Sequence, residues 1–399
     1  MRILIINSFF APLTTGSAHF SFDMAREYRK QGHEVVVVTS RPRGSLEFEL
    51  IDGISIHRFA TMWIKPGKLS FNYSLPFVTR IANVRRLSAI FKEFSPEVVH
   101  QNGQFFDLTI LSSIIARRRS TPRVLTIHTP LTHTNFLFKI IISLTDRVFL
   151  APLTRLGKVR CFAVDKFTMD LSNRRYYPRK RRVSFIPASL NPDQFAGGNG
   201  EKVRDRLNLS DKKIILSFGH VIPIRNRVTL VSALPRVLAE LPSTHLVIVG
   251  QVFDDSFLKV AEGLGLTKQI TVVGKIPHSD VPDYLAAADV ECHDINGHGL
   301  GITTFEVMAA GVPVIASVEQ DVFPDIELNK WPQMRIHNHL TSEQLAKELI
   351  DLMQMNDDSR EELIRSQRDF VVYNFSATLI AQKYIQEFNH LIAETQDDI

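Results

Sequence analysis

MRILIINSFFAPLTTGSAHFSFDMAREYRKQGHEVVVVTS, residues 1–40, holds one complete turn of an alternating α/β pattern. Its first apolar run, Ile3 to Ile6, is short and largely β-branched, as suits a strand buried on both faces. A helical stretch from about His19 to Gln31 follows. Gly32 then supplies the C-terminal cap before a second β-branched run, Val35 to Thr39. Further strands are expected near Val98 and Val124, so the first half reads as a parallel sheet wrapped by helices.

The same rhythm restarts in the second half. Ile214 to Phe218, Leu246 to Val249, Ile270 to Val273, Val290 to Cys292 and Val312 to Ala316 are candidate strands, with helical segments such as Val228 to Leu241 and Val281 to Ala287 between them. Pro187 to Gly200, with Pro192, Gly197 and Gly198, interrupts both patterns and marks a hinge. The predicted domains are therefore 1–187 and 188–375. The last stretch, 376–399, is predicted to form a helix that needs a surface to cover, because Ile380, Tyr384, Ile385, Phe388 and Ile392 share one stripe.

Composition narrows the class. With 399 residues, 44% of them hydrophobic and 22% charged, the chain matches an ordinary globular protein with room for two cores. Only two cysteines, Cys161 and Cys292, argue against a disulfide framework and favour a reducing, cytoplasmic compartment. The start lacks the features of a signal peptide, and the longest apolar candidate for a membrane span, Phe136 to Leu150, is broken by Lys139, Asp146 and Arg147. A net charge of +5 favours an anionic partner. The basic run Arg174 to Arg182 lacks a nucleic-acid recognition module, and the first strand is not followed by G-x-G-x-x-G, so neither a nucleic-acid partner nor a nicotinamide cofactor is expected.

In open α/β sheets ligands sit beyond the carboxyl ends of strands, so the loops there should carry the chemistry. Near the N-terminus, Pro12-Leu13-Thr14-Thr15-Gly16 is a small-residue loop ahead of a helix, where backbone amides can approach an anion. His128 follows the strand at Val124, and Phe185-Ile186-Pro187-Ala188-Ser189-Leu190-Asn191-Pro192 crosses the hinge. In the second half, Gly219-His220 follows a strand and precedes Arg225. Val249-Gly250 and Val273-Gly274-Lys275-Ile276 end two more strands. His298-Gly299-Leu300-Gly301-Ile302-Thr303-Thr304-Phe305-Glu306 then leads into Met308-Ala309-Ala310-Gly311-Val312-Pro313-Val314. Its glycines open a helix N-terminus, and its carboxylate can accept from hydroxyls.

Read together, these segments resemble the family 4 glycosyltransferases of the GT-B fold, from Met1 to about Phe388. The resemblance implies two Rossmann-like doubly wound domains facing across a cleft, with a C-terminal helix returning to the N-terminal domain. It further implies transfer, with retention, of a sugar from a nucleotide-sugar donor, UDP- or GDP-linked, with no cofactor and no divalent metal. His220 and Arg225 stand where the family has an arginine and a lysine on the donor diphosphate. Gly16, Gly219, Gly250, Ile276, Leu300, Gly301 and Gly299 fall in the donor loops. Glu306 corresponds to the ribose contact and His128 to a sugar contact. His298 replaces the first of the family's two glutamates, which places the choice of sugar on an imidazole. His100 and Asp289 fit the pattern in structural roles.

The implied acceptor is a glycan or lipid-linked molecule against the N-terminal domain. Phe59, Trp63, Phe71, Tyr73 and Phe77 lie near Arg80, Arg85 and Arg86 there, and Phe136, Phe138 and Ile140 to Ile142 follow. That mixture suits peripheral association with the anionic inner face of a membrane, and equally suits helix packing beneath solvated arginines. Three alternatives stay open at this level: a lapsed GT-B protein that acts as a binding partner or regulator, a metal site from Glu291, His293, Asp294 and His298 or from His128 and His133, and a solvated basic face for Arg225 and Arg227.

Overall fold

The computed structural model describes every residue except 14, 65–73, 130–135, 178–181, 294, 296–299, 319–322, 332–333, 338 and 397–399, and leaves the side chains of 136–139, 149, 153, 329 and 396 undescribed. The chain divides into two compact units, Met1–Ser189 with Ala377–Ile399, and Leu190–Ser376.

The first unit runs β1 (Arg2–Asn7), α1 (Gly16–Lys30), β2 (Glu34–Ser40), β3 (Phe48–Ile51), β4 (Ile54–Phe59), β5 (Met62–Ile64), β6 (Leu75–Phe77), α2 (Ile81–Phe94), β7 (Val98–Asn102), α3 (Asp107–Arg118), β8 (Arg123–Ile127) and α4 (Phe136–Thr145). A π-helical turn, Asp146–Leu150, then leads to α5 (Ala151–Leu153), β9 (Val159–Ala163), α6 (Lys166–Tyr176) and β10 (Val183–Phe185). Eight strands form one sheet in the order β10-β9-β8-β7-β1-β2-β4-β3. Its edge strand β3 runs antiparallel to β4.

Strand periodicity sorts the core onto two faces. Ile3, Ile5, Val35 and Val37 pack with α1 residues Phe20, Met24 and Tyr28, whereas Leu4, Ile6, Val36 and Val38 pack with Leu87, Phe91 and Leu108 on the opposite side. Helix α1 starts at Thr15, whose Oγ1 accepts from the Ala18 N–H at 3.3 Å. The chain's last helix, Ala377–Gln396, closes the first of these faces with Ile380, Tyr384, Phe388 and Leu391. The predicted stripe is shifted slightly: Leu391 takes a central place, while Ile385 and Ile392 pack at its margin.

Beneath that helix lies a buried polar chain. The Tyr384 hydroxyl and Thr126 Oγ1 are 2.9 Å apart, Thr126 Oγ1 meets His100 Nε2 at 2.9 Å, and His100 Nδ1 meets the Tyr28 hydroxyl at 3.1 Å. Burial pushes the His100 imidazole down to about 3, with the neighbouring His128 adding to the shift. His100 is thus neutral and structural.

The second unit comprises α7 (Gly200–Leu207), β11 (Lys213–Phe218), α8 (Arg227–Glu240), β12 (Thr244–Val249), α9 (Ser256–Gly263), β13 (Ile270–Gly274), α10 (Val281–Ala286), β14 (Val290–Glu291), α11 (Ile302–Ala309), β15 (Ile315–Ser317), β16 (Arg335–His337), α12 (Ser342–Met353) and α13 (Asp357–Phe375), after which the last helix is α14. Its sheet has the order β13-β12-β11-β14, with β15 and β16 paired separately. Asp289, just ahead of β14, accepts from the Ile214 N–H and from Arg204, each at 2.7 Å. The strand predicted at Val312 to Ala316 begins three residues later, at Ile315. Pro313 has no N–H to give a ladder. Val314 itself bridges in parallel to Glu291, and Gln367 takes its N–H and its carbonyl, at 3.1 and 3.0 Å.

The depressed His100 value sets a pH dependence. An unfolded histidine, near 6.5, binds protons that the folded one refuses down to about 3, so this group's contribution to stability is complete above 6.5 and is lost as pH falls. In urea titrations between pH 6 and 4, the wild type should lose about 1.4 kcal/mol per pH unit more than His100→Gln; equal slopes for the two proteins would refute the assignment.

Candidate active site

Three parallel strands, β11, β12 and β13, end side by side, and their following loops are laced together. The Gly219 N–H donates to the Val249 carbonyl at 2.8 Å, the Gly250 N–H to the Gly274 carbonyl at 2.8 Å, and the Val221 N–H to the Gln251 carbonyl at 3.0 Å. Gly250 has φ +141°, and a Cβ there would lie 2.1 Å from the Gly219 carbonyl oxygen. Such an approach admits no side chain.

The space above Gly219 belongs to Arg225. A Cβ on Gly219 would sit 2.2 Å from an Arg225 guanidinium nitrogen and 3.4 Å from Thr303 Cγ2, so the strand end, the cation and the first turn of α11 meet at one backbone atom. Arg225 closes a short 3-10 turn, Pro223–Arg225, and is half-buried.

Arg227 corrects the expectation of a solvated basic face. It is buried, and its guanidinium donates to the carbonyls of Arg225 at 3.3 Å, His293 at 3.2 Å and Gly219 at 3.4 Å. These bonds tie the Arg225 loop to both β11 and the segment after β14. Hydrogen bonds from a charged group typically contribute about 1.5–3 kcal/mol each, with the longer ones here at the weak end. Sequence reasoning missed this clamp because an arginine at a helix start, two residues past another arginine, reads as surface charge.

His220 is exposed and rests edge-on against Phe253 with ring centroids 5.6 Å apart. Partial burial, then the positive charges of Arg225 and Lys275, hold its imidazole below the usual histidine range. It is therefore a neutral hydrogen-bond donor at pH 7. Lys275 and the half-buried Ile276 follow Gly274 in the loop after β13.

On the other side of β11, Glu291 and His293 are both fully buried, with Oε1 of Glu291 accepting from His293 Nδ1 at 2.5 Å and from the Phe218 N–H at 3.1 Å. Among the described residues these two bond to each other rather than gathering into a metal-ligand cluster. Glu306, on α11, is enclosed by protein around its carboxyl. Desolvation raises it to about 7, against the opposing pull of His293 and Arg225. Gly301 caps α11 and Leu300 before it is half-buried. His298, Gly299 and Asp294 lie outside the described residues.

In the first unit, His128 follows β8. Its Nε2 meets Asn102 Oδ1 at 2.9 Å and its ring packs edge-on against Phe20 with centroids 4.8 Å apart. An amide oxygen only accepts, so Nε2 carries the proton and Nδ1 is left as an acceptor. Burial pushes this imidazole down to about 4. Asn102, at the end of β7, is a residue the sequence reading did not single out. Gly16 opens α1 with free space around it: a Cβ there would meet nothing within 4 Å. Of the predicted acceptor residues, Phe59 is fully buried with Arg86 stacked above its ring, and the Trp63 indole donates to the Arg41 carbonyl. Phe77 is exposed. Phe71, Tyr73 and His133, with the side chains of Phe136 and Phe138, lie outside the described residues.

The contact between Gly219 and Gly250 can be tested by substitution. Gly250→Ala should destabilise the second unit by more than about 2 kcal/mol in urea. Gly265→Ala, where φ is +71° but nothing lies within 4 Å, should cost only the backbone strain of about 1 kcal/mol. Equal losses would mean that the close approach contributes nothing.

Comparison with known proteins places the chain in a family. The family described as Glycosyltransferase Family 4 matches residues 14–194, and the one described as Glycosyl transferases group 1 matches residues 199–370. A GDP-mannose-dependent alpha-(1-6)-phosphatidylinositol monomannoside mannosyltransferase from Mycolicibacterium smegmatis is 29% identical over 144 residues, which are 34% of this chain and only 38% of that protein's length. The alpha-monoglucosyldiacylglycerol synthase of Acholeplasma laidlawii is 23% identical over 81% of each chain. Among solved structures, Anabaena HepE in complex with UDP and glucose superposes with a TM-score of 0.66 at 15% identity, covering 97% of this chain and 99% of that one. Two successive Rossmann-like units, matched end to end by the two halves of one enzyme family, establish that the chain belongs to the family 4 glycosyltransferases of the GT-B fold.

Proposed function

We propose that the protein transfers a hexosyl group from a nucleotide sugar, UDP- or GDP-linked, to a lipid-linked or glycan acceptor, with retention at the anomeric carbon and without a divalent metal. The observation that carries this reading is the seat of Arg225 on Gly219, at the mouth of three converging strand ends and beside the first turn of α11. As the bond between the anomeric carbon and the phosphate oxygen breaks, negative charge grows on the leaving diphosphate. A cation already in position lowers that barrier without reorganisation.

In this reading the acceptor oxygen bonds to the anomeric carbon on the face the diphosphate leaves, and the acceptor's proton passes to a phosphate oxygen. Arg225 grips the diphosphate. Neutral His220 donates a hydrogen bond, and a bound anion would raise its proton affinity. Glu306 accepts from the ribose hydroxyls; with its carboxyl raised to about 7, it is about half protonated at neutral pH before those donors arrive. His128 and His298 contact the sugar, and Gly16, Gly250, Ile276, Gly299, Leu300 and Gly301 shape the donor loops. The nucleotides named for the relatives, GDP-mannose for one and UDP for the structural neighbour, support the two nucleotide classes favoured here. Their lipid acceptors support a lipid-linked one. No helix among the described residues is long and apolar enough to cross a membrane, and such an acceptor would be met at a membrane surface.

The decisive experiment measures nucleoside diphosphate release from UDP- and GDP-linked glucose and mannose in the presence of detergent-dispersed lipid acceptors. One donor should be turned over, and Arg225→Ala should lower kcat by about 10²–10³-fold. Arg225→Ala turnover equal to wild type would remove Arg225 from the mechanism. No turnover of any donor would favour a lapsed protein that only binds.

A further inference from the structure

The segment from α4 to α5 presents two features that donor chemistry does not use. Asp146, in the π-helical turn, is fully buried and accepts from Arg175 Nη1 at 2.9 Å and from the Tyr176 hydroxyl at 2.9 Å, which pins this segment against α6. Leu150 and Ala151 are buried on the same side. The side turned away carries Ile140, Ile141, Leu144 and Val148, which are 48%, 49%, 62% and 54% exposed. Their spacing puts them on one helical face. Large aliphatic side chains left in water on one face of a helix have an unmet driving force for burial.

Beside that face is a basic cavity of about 430 Å³, lined by Arg147, Ala151, Pro152, Arg155, Arg174 and Arg175. Among the described residues no acidic side chain lines it. Arg147 stands three residues past Leu144 and next to Val148, so cation and aliphatic groups share an edge. The α6 helix, capped by Asp165 through the Thr168 N–H at 2.7 Å, delivers Arg174 and Arg175 from its last turn. Guanidinium groups around one cavity match the bidentate geometry of a phosphate monoanion, and an aliphatic face alongside matches acyl chains beneath it.

We propose that this face of the first unit docks on an anionic phospholipid bilayer, with Ile140, Ile141, Leu144 and Val148 inserted at the level of the acyl chains and a lipid phosphate held among Arg147, Arg155 and Arg174. The segment lies on the bilayer instead of crossing it: the apolar face is about two turns long and charge flanks it. The surface would hold the enzyme where a lipid-linked acceptor resides. Vesicle binding is read without donor or turnover, so its failure leaves the transferase reading intact.

The test is sedimentation of the full-length protein with phosphatidylglycerol–phosphatidylcholine vesicles and with phosphatidylcholine vesicles. Wild type should bind the anionic vesicles only, less tightly as salt rises. Arg147→Glu with Arg174→Glu should weaken that binding by at least about tenfold, and Ile141→Gln with Leu144→Gln, which leaves the charge unchanged, should also weaken it. All these side chains are exposed, and an unchanged unfolding midpoint will show that the variants fold. The control, Arg117→Glu with Arg118→Glu at the exposed end of α3, carries an equal charge change and should retain most of the binding. Absence of wild-type binding would overturn the proposal, as would a loss in the control equal to that in the cavity variant, because general positive charge would then explain the attraction.

Discussion

The second unit is organised around a backbone contact that excludes side chains. Gly250 presses so close to the Gly219 carbonyl that no Cβ fits between them, and Arg225 lies against Gly219 with Thr303 beyond it. Arg227 then secures the arrangement by donating to three carbonyls, one from the strand end, one from the Arg225 turn and one from the segment after β14. A cation that serves a developing negative charge must not have to move as the charge appears. Two glycines and a buried arginine hold the backbone that carries Arg225, as the proposed role of that cation requires.

Much of this was legible in the residues. Runs such as Val35 to Val38 announce a parallel strand because both faces are covered, and the structure sorts their alternate side chains into two cores. The glycines at 219 and 250 stand directly after apolar strand runs, where a ligand loop is expected. What escaped depended on contacts distant in sequence. Nothing near Gln367 suggests that its amide occupies both backbone groups of Val314, a residue that also bridges to Glu291. Likewise Glu291 and His293 stand two residues apart at the end of β14, a pattern equally compatible with metal ligation until their mutual hydrogen bond is seen. Asn102 gave no signal of its own, since an asparagine ending a strand is common and its partner lies 26 residues later.

Electrostatics divides the histidines by task. His100, inside a continuous hydrogen-bonded chain from Tyr28 to Tyr384, is kept neutral by burial and helps fasten α14 to the first sheet. His128 is also neutral, yet it is only partly covered and keeps an acceptor nitrogen. His220 is the exposed one, and partial burial, then the positive charges of Arg225 and Lys275, hold its imidazole below the usual histidine range. Similar side chains thus differ in protonation and bonding because their surroundings differ in water and charge.

The most direct examination of the pyrophosphate grip is a crystal structure of the protein soaked with UDP or GDP. The account requires phosphate oxygens within about 3.2 Å of the Arg225 guanidinium, with the ribose hydroxyls facing Glu306. A nucleotide well ordered elsewhere, leaving Arg225 without a phosphate contact, would contradict it.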